Sequence, residues 1–305
     1  MDSRFRGNDS IVLLWRSQHR FLFGYFLFFQ RESNRGLESM VYSVLIDTVR
    51  CIGCQGCQVA CKSWNGMPGE RTSLGATMGN PAALDSSTYT NIGFTELDSP
   101  GGTAWHFAKH QCMHCTEPAC AAACPAGALV KDPEGPVVYR KGLCIGCRYC
   151  MLACPFQIPK FEWDKAFPYI RKCTFCSERV GAGEQPACTR ACPSGALTFG
   201  PRDKIVQEAR RRLAAGGGRY TGRIYGLDEA GGTSWIYISG AEFGELGLAE
   251  NVAARPYGTY TWDALSKTPL AGAGAAAVLA GLWFIVGRRA SLQGQDGNQP
   301  GGDKG

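Results

Sequence analysis

The stretch CIGCRYCMLACP, residues 144–155, places four cysteines within eleven residues and ends in a proline. Its spacing, C-x2-C-x2-C-x3-C-P, is typical of a loop that holds a cubane iron-sulfur cluster, because three thiolates on one tight loop can bind three irons. In two-cluster ferredoxins the fourth cysteine of such a run binds the neighbouring cluster. The stretch therefore predicts a 4Fe-4S cluster and a fourth thiol that belongs to a second cluster.

The rest of the chain repeats this unit. All 16 cysteines fall into groups of four, alanine precedes the last cysteine of each group, and proline follows it in every group except the first, which has Lys62. Repetition of one motif predicts an α+β, loop-rich fold of two tandem ferredoxin-like dicluster modules. The groups are Cys51, Cys54, Cys57 and Cys61; Cys112, Cys115, Cys120 and Cys124; Cys144, Cys147, Cys150 and Cys154; and Cys173, Cys176, Cys188 and Cys192.

Three other interpretations of the cysteines fit the sequence less well. A disulfide framework is typical of small secreted domains that lack a core, and a chain of 305 residues does not need one. Structural zinc usually takes two C-x2-C pairs far apart in sequence, whereas here a third cysteine follows at once. A metal-binding scaffold without redox work would not require four complete groups with ferredoxin spacing. Brown absorption that dithionite bleaches would distinguish a redox protein from such a scaffold.

Composition agrees with an electron carrier. The 40 glycines and 16 prolines indicate a loop-rich chain in which metal clusters replace part of an apolar core. The formal charge of +6 counts every cysteine as neutral. If each ligated cluster carries roughly −2, the loaded protein has a charge near −2, and a nucleic-acid partner loses its main support.

Residues that could form a catalytic site are missing from the sequence. It has no spare cysteine, no nucleotide-binding glycine loop and only four histidines. His114 lies between Cys112 and Cys115, and we interpret it as a group beside the cluster sulfurs that tunes the reduction potential. We therefore predict no catalytic residue and an electron-transfer role.

The first 39 residues differ from the rest. Their apolar run FLFGYFLFF is too short to span a bilayer, and no small-residue cleavage site of a signal peptide follows it. Met40 begins MVYSVLIDTVRCIGC, which predicts a β-strand leading into the first cysteine group. We expect Met40 to be the true start and residues 1–39 to be a doubtful extension.

Residues 40–200 form the predicted four-cluster domain. Between Cys61 and Cys112, 50 residues show no strong periodicity and predict a long loop that carries function or contacts a partner. Residues 201–265 are predicted to contact partner subunits. They begin with a helix that follows Pro201, RDKIVQEARRRLAA, whose three consecutive arginines predict a solvated face.

The predicted membrane anchor is residues 266–289. Its core, PLAGAGAAAVLAGLWFIVG, has 19 residues without a charge, and rows of small residues on it predict packing against a membrane partner. Arg288 and Arg289 follow directly, so the positive-inside tendency places the polar tail, residues 290–305, in the cytoplasm. The cluster domain is then expected on the outer side of the cytoplasmic membrane, in the periplasm where the cell has one.

Several longer motifs resemble a known family. CMHCTEPACAAACPAGAL, KCTFCSERVGAGEQPACTRACPSGALTFG and YGLDEAGGTSWIYIS, together with the apolar helix, are similar to the iron-sulfur (beta) subunit of membrane-bound, quinone-linked formate dehydrogenases. The similarity runs from about Met40 to Arg289. The iron-sulfur subunit of membrane-bound nickel-iron hydrogenases has similar motifs and stays an alternative, as do other molybdopterin oxidoreductases. Nitrate reductase partners fit less well, because they lack one of these cysteines.

The resemblance implies a complex of three subunits. A catalytic subunit with molybdenum or tungsten pterin oxidises formate, this subunit conducts the electrons through four 4Fe-4S clusters, and a cytochrome b passes them to quinone. It also implies crossed ligation in an outer pair and an inner pair of clusters. The outer ligand sets are Cys51, Cys54, Cys57 with Cys192, and Cys173, Cys176, Cys188 with Cys61; the inner sets are Cys112, Cys115, Cys120 with Cys154, and Cys144, Cys147, Cys150 with Cys124.

Overall fold

A computed structural model of the chain describes residues 41–71, 79–99 and 102–296. The predicted start at Met40, the extension 1–39 and the last nine residues of the predicted polar tail lie outside the described residues. All sixteen cysteines lie within them.

A three-stranded sheet supports the first cysteine group. The predicted strand is β1, Tyr42–Asp47, which pairs antiparallel with β8, Leu197–Pro201, and parallel with β9, Trp235–Ile238. Side chains alternate between the two faces of a strand, and Val44 and Ile46 therefore pack on the face that the cysteines share. The third strand of this sheet comes from the predicted extension 201–265.

The opposite face of the sheet is covered by helix α6, Arg202–Ala215, which begins after Pro201 as the sequence predicts. Ile205 and Ala209 are one helical turn apart and pack against Leu45 of β1. This apolar stripe fixes the helix on the sheet, and the burial of both sheet faces explains why every residue of β1 after the first is buried.

The prediction that the three arginines of this helix form a solvated face is wrong at one position. Arg210 and Arg211 are exposed, but Arg212 is buried and its Nη1 lies 3.0 Å from Asp47 Oδ2. The reason is its place on the helix, three residues after Ala209 and thus on the stripe that faces the sheet. Its buried charge is compensated by the fully buried carboxylate of β1.

The predicted long loop before Cys112 is also wrong in part. Its second half forms a long antiparallel hairpin of β2, Thr90–Ser99, and β3, Gly102–Gln111. The apolar alternation of a strand is missing because the polar residues Lys109 and Gln111 are buried at the base of the hairpin. The hairpin delivers the chain directly into the second cysteine group.

Smaller elements surround the remaining cysteines. Strands β4, Leu129–Lys131, and β5, Val137–Tyr139, form one two-stranded sheet, and β6, Lys160–Phe161, and β7, Ile170–Arg171, form another. Four of the five short helices contain a cysteine. These helices are α1, Gly56–Trp64; α2, Ala119–Ala122; α3, Tyr149–Ala153; α4, Ser177–Gly181; and α5, Ala187–Arg190.

The described chain ends in two helices, α7, Tyr257–Leu265, and α8, Thr268–Asp296. The segment Thr268–Ala290 of α8 has 23 residues, a mean hydropathy of 2.0 and no buried residue in its apolar window. The predicted C-terminal apolar helix is therefore confirmed, and it is long enough to cross a bilayer once. Helix α7 contacts both α8 and α2, so the base of the apolar helix lies beside a cysteine-bearing helix.

Candidate metal centres

The sixteen cysteines are free thiols and do not form disulfides. Among the described residues, no three His, Cys, Asp or Glu side chains converge closely enough to hold a single metal ion. A zinc site needs four ligands around one ion, whereas the thiolates of a cubane each bind a different iron and stand further apart. The thiol arrangement fits a polynuclear cluster.

Each C-x2-C loop has the same unusual backbone conformation. The residue just before the second cysteine has a positive φ in all four loops: 65° at Gly53, 49° at His114, 71° at Gly146 and 59° at Phe175. This region is costly for residues other than glycine, so the fold must enforce it at His114 and Phe175. The turn points backbone N–H groups at sulfur, and the N–H of Phe175 lies 3.4 Å from Cys173 Sγ.

The thiols lie in four sets, which we call cages. The cages are numbered so that consecutive cages are neighbours. The thiols of the first cage line one cavity and those of the fourth line another. In the second cage Cys61, Cys173 and Cys176 each interact electrostatically with Cys188, and in the third Cys115 interacts with Cys112, Cys120 and Cys154. Cys173 also interacts with Cys112 of the third cage. The cages are Cys51, Cys54, Cys57, Cys192; then Cys61, Cys173, Cys176, Cys188; then Cys112, Cys115, Cys120, Cys154; and finally Cys124, Cys144, Cys147, Cys150.

Each cage thus combines three cysteines of one group with the fourth cysteine of another group. Iron ligation itself stays a prediction. We keep the name outer pair for the first and second cages and inner pair for the third and fourth.

Hydrogen-bond donors point at several of the sulfurs. The N–H of Ala128 lies 3.2 Å from Cys124 Sγ, and the side-chain amide of Asn65 lies 3.6 Å from Cys61 Sγ. Backbone N–H groups also donate to Cys154. Such donors stabilise negative charge on sulfur, which suits thiolates bound to iron.

Burial works against free thiolates in these cages. It raises the pKa of Cys57, Cys61 and Cys120 to about 12, and repulsion between neighbouring thiolates adds to the effect. These three thiols are therefore protonated at neutral pH. Iron binding must displace their protons, because only the thiolate is a ligand.

Three lysines that the sequence analysis missed lie among the cages. Lys109 and Lys172 are buried, and Lys131 is half-buried. Burial lowers the pKa of Lys109, but thiolates of the outer pair outweigh burial and the pKa is raised overall. The only sequence signal is proximity, since Lys109 and Lys172 precede a cysteine group by three residues and by one residue.

His114 lies in the loop between Cys112 and Cys115 of the third cage. Its ring is completely buried, contacts Phe175 at 5.1 Å between centroids, and accepts a hydrogen bond at Nδ1 from the N–H of Val137, 2.8 Å away. Burial and the neighbouring lysines lower the pKa of His114 well below its ordinary value. The imidazole is therefore neutral and braces the loop against β5.

The first and fourth cages differ from the middle two at their surfaces. Ile52 and Ile145, each directly after the first cysteine of its loop, are 60% and 69% exposed. Val59 and Leu152, each two residues after the third cysteine, are 67% and 85% exposed. At the position of the two isoleucines the third cage has Met113, which is buried. Large apolar side chains therefore face solvent at the two end cages.

Two domain profiles match the region that carries the cages. Both are described as 4Fe-4S dicluster domains, and they match residues 50–128 and 103–202. The chain is thus a protein with two 4Fe-4S dicluster domains, in a mixed α+β, loop-rich fold.

Comparison with known proteins identifies the family. The chain is 38% identical over 247 residues to the nitrate-inducible formate dehydrogenase iron-sulfur subunit of Escherichia coli, covering 79% of this chain and 82% of that one. It is 40% identical over 248 residues to a protein of Nitratidesulfovibrio vulgaris, of which it spans 64%. It is also 33% identical to the hydrogenase-2 operon protein HybA of Shigella flexneri, covering 83% of this chain and 86% of that one. The chain belongs to the family of formate dehydrogenase iron-sulfur subunits, which transfer electrons.

Proposed function

We propose that this subunit carries electrons through four 4Fe-4S clusters, from a molybdenum or tungsten formate dehydrogenase subunit to a membrane cytochrome b and quinone. Each cage would hold one cluster through its four thiolates, and the clusters would supply reversible one-electron chemistry. The residues of this chain bind the clusters, donate hydrogen bonds to their sulfurs and exclude water. The subunit catalyses no reaction alone.

The observation that carries the proposal is the continuity of the cages. A thiol of each cage interacts electrostatically with a thiol of the next, so the four cages adjoin in one series, and Cys120 and Cys150 at its last step share a core. Cys57 of the first cage and Cys188 of the second lie in one buried core. Cys173 of the second cage and Cys112 of the third lie in the same core. The adjoining pairs are Cys57 and Cys188, Cys173 and Cys112, and Cys120 and Cys150.

The surroundings of the third and fourth cages support a direction of electron transfer. Helix α7, which leads into the apolar helix, contacts α2, and Gly258 approaches Ala122 beside Cys120 of the third cage. The fourth cage adjoins the third and presents exposed apolar side chains, which suits a contact with a membrane subunit. Electrons would then enter at the first cage and leave at the fourth.

Two cysteine variants of the native complex test this direction. With Cys144→Ser, formate should still reduce the clusters of the first three cages, while reduction of quinone is lost. With Cys51→Ser, formate should reduce none of the remaining clusters, although dithionite still does. Electron spin resonance after each reductant measures both results, and the reverse pattern would reverse the direction.

Hydrogen is the alternative source of electrons, since HybA is also a relative. Formate is favoured because the match to the formate dehydrogenase subunit has the higher identity. Dye reduction by the native complex with formate supports the proposal. Reduction with hydrogen and no response to formate, together with a large subunit that contains nickel and iron, would assign the chain to a hydrogenase.

The side of the membrane is part of the proposal. Arg288 and Arg289 follow the uncharged stretch 269–287 and favour a cytoplasmic tail, against the weaker opposite contribution of Lys267. Protease added to intact spheroplasts should digest the cluster domain. Full protection, with digestion only after lysis, would place the cluster domain in the cytoplasm.

A further inference from the structure

Lys109 is a buried ammonium at the base of the β2–β3 hairpin. Only 2% of the residue is exposed. Its Nζ donates hydrogen bonds to Thr90 Oγ1 at 2.6 Å and Gln111 Oε1 at 3.0 Å, and lies 4.5 Å from the centroid of the Trp235 ring. All three partners are electrically neutral, so they fix the position of the charge without cancelling it.

The ammonium has no carboxylate partner. In the described part of the chain, the ion pairs use other lysines and arginines. Burying an unpaired charge is expensive, and buried lysines normally find a counter-charge. Lys109 lines the same cavity as the four thiols of the first cage. Its electrostatic partners are Cys188, Cys57, Cys173 and Cys61. Cys57 belongs to the first cage and the other three to the second, so the positive charge lies between the outer pair.

We propose that Lys109 is a positioning residue for electron transfer, a fixed positive charge that raises the reduction potentials of the clusters in the first and second cages. This inference rests on the proposed function. A cluster with its four thiolates carries roughly −2 and gains one further negative charge when it accepts an electron. A cation nearby stabilises the more negative state, and low-dielectric surroundings strengthen that effect.

The third cage offers a matched control. Lys131 interacts with Cys115 and Cys112 of that cage, and its Nζ donates to the carbonyl oxygens of His114, at 3.1 Å, and Gly135, at 2.6 Å. Loss of this charge should lower the potential of the third cluster and leave the outer pair unchanged. A second control, Thr90→Val, removes a hydrogen bond of Lys109 without removing its charge.

The experiment is a redox titration of the complete membrane complex, followed by electron spin resonance. The reduction steps of the two outer-pair clusters are identified as those that are lost or converted in Cys51→Ser and Cys173→Ser. In Lys109→Met, at least one assigned step should move to lower potential. The ratio of reduced to oxidised cluster at a fixed ambient potential should fall at least tenfold, which equals 59 mV for a one-electron couple. Lys131→Met should move a different step, and Thr90→Val should move the outer steps by much less.

Three results would overturn the proposal. One is a fully loaded Lys109→Met protein whose four steps are unchanged. Another is an equal shift in Thr90→Val, which would assign the effect to packing. The third is loss of clusters from Lys109→Met and also from Lys109→Gln, which keeps hydrogen-bonding atoms; this would assign a structural role only. If the wild-type complex itself lacked four reducible clusters, the proposed function would fail instead, so the two failures are distinguishable.

Discussion

The outer and inner pairs of cages are built on scaffolds of different strength. Cysteines of the outer pair share a large core with the three-stranded sheet, including Val44, Ile46 and Trp235. The fourth cage and Cys120 of the third pack on two short two-stranded sheets, in a core of Cys120, Leu129, Val137, Cys150 and Ile170, whereas Cys112 of the third cage belongs to the large core. The same ligand motif is therefore supported by extensive apolar burial in one pair and mainly by local loops in the other.

The outer pair therefore contributes more to the stability of the domain, and the inner pair offers more exposed surface for a partner. Lys109 is buried beside the outer pair, and the outer pair packs against the three-stranded sheet. Arg212 of helix α6 forms an ion pair with Asp47 of that sheet. The inner pair lies beside the helix that leads to the apolar segment, and residues around it such as Leu152 and Phe167 are strongly exposed. A small scaffold whose surface is covered by a partner needs less internal packing, because the partner supplies the missing burial.

Removal of iron should have the largest effect and should separate the two pairs. Metal-ligand bonds replace much of the apolar core around the cages, so an anaerobic ferrous chelator should destabilise the whole cluster domain. Backbone amides of β4 to β7 should lose protection from hydrogen exchange before those of β1, β8 and β9, since local stability follows buried contacts. Mass spectrometry of exchanged peptides measures the order. Simultaneous loss, or loss from the sheet first, would contradict the comparison.

Ligand replacement tests how the inner pair is connected. Cys154 interacts with Cys112, which is in a different sequence group. Cys154→Ser should therefore convert or remove the cluster of the third cage, and Cys144→Ser that of the fourth. Spin resonance of the reduced proteins should show two different signals affected. If both variants damage the same signal, ligation follows the sequence groups and is not crossed.

Breaking the buried ion pair tests the scaffold of the outer pair. Asp47 Oδ2 accepts from Arg212 at 3.0 Å and from the hydroxyl of Tyr220 at 3.1 Å. Asp47→Ala leaves a buried guanidinium partly uncompensated and should cost about 3–5 kcal/mol. Thermal release of the clusters measures the loss. The control Arg210→Ala, on the exposed face of the same helix, should change stability by less than about 0.5 kcal/mol; equal losses would contradict the role of the buried pair.

Hydrogen bonds to Glu162 stabilise the small sheet of β6 and β7 beside the inner pair. Glu162 accepts hydrogen bonds from Lys165, Arg171 and the N–H of Tyr169. Burial by itself would raise the pKa of Glu162, but these bonds lower it overall from 4.5. Glu162→Gln should cost about 1–3 kcal/mol at neutral pH, because bonds to a charged acceptor are lost.

The pH dependence of that difference follows from the lowered pKa. The stabilisation is fully present above pH 4.5, the ordinary value, and is lost as the pH falls through the lower value of the folded protein. Thermal unfolding of both proteins at a series of pH values should show the difference shrinking on acidification. A difference that stays constant would mean that the carboxylate charge is not the cause.

Surface changes at the end cages should have the smallest effect on stability. Val59→Ser and Leu152→Ser alter equivalent exposed positions of the first and fourth cages, and each should change stability by less than about 0.5 kcal/mol. Val59→Ser should weaken retention of the catalytic subunit, and Leu152→Ser that of the membrane subunit. Co-purification from detergent measures both. Loss of the same subunit in both variants would contradict separate docking ends.

Prediction from sequence succeeded where structure depends on local spacing. The strand before Cys51, the helix after Pro201 and the apolar helix follow from periodicity and from their end residues. The β2–β3 hairpin was missed because Lys109 and Gln111 are buried where apolar residues are expected. Nothing adjacent in sequence reveals that their partners are Thr90 and Tyr237.

Spacing and composition alone predicted the grouping of the sixteen cysteines, the cluster type that this grouping fits and the C-terminal apolar helix. These properties are local, since a ligand loop spans a few residues and a membrane span is a matter of length and composition. Only the tertiary structure decided the order of the cages, the burial of Arg212 against Asp47 and the place of Lys109 between two cages. Burial of a charge depends on segments far apart in the chain, and its cost is set by the partners that folding brings to it.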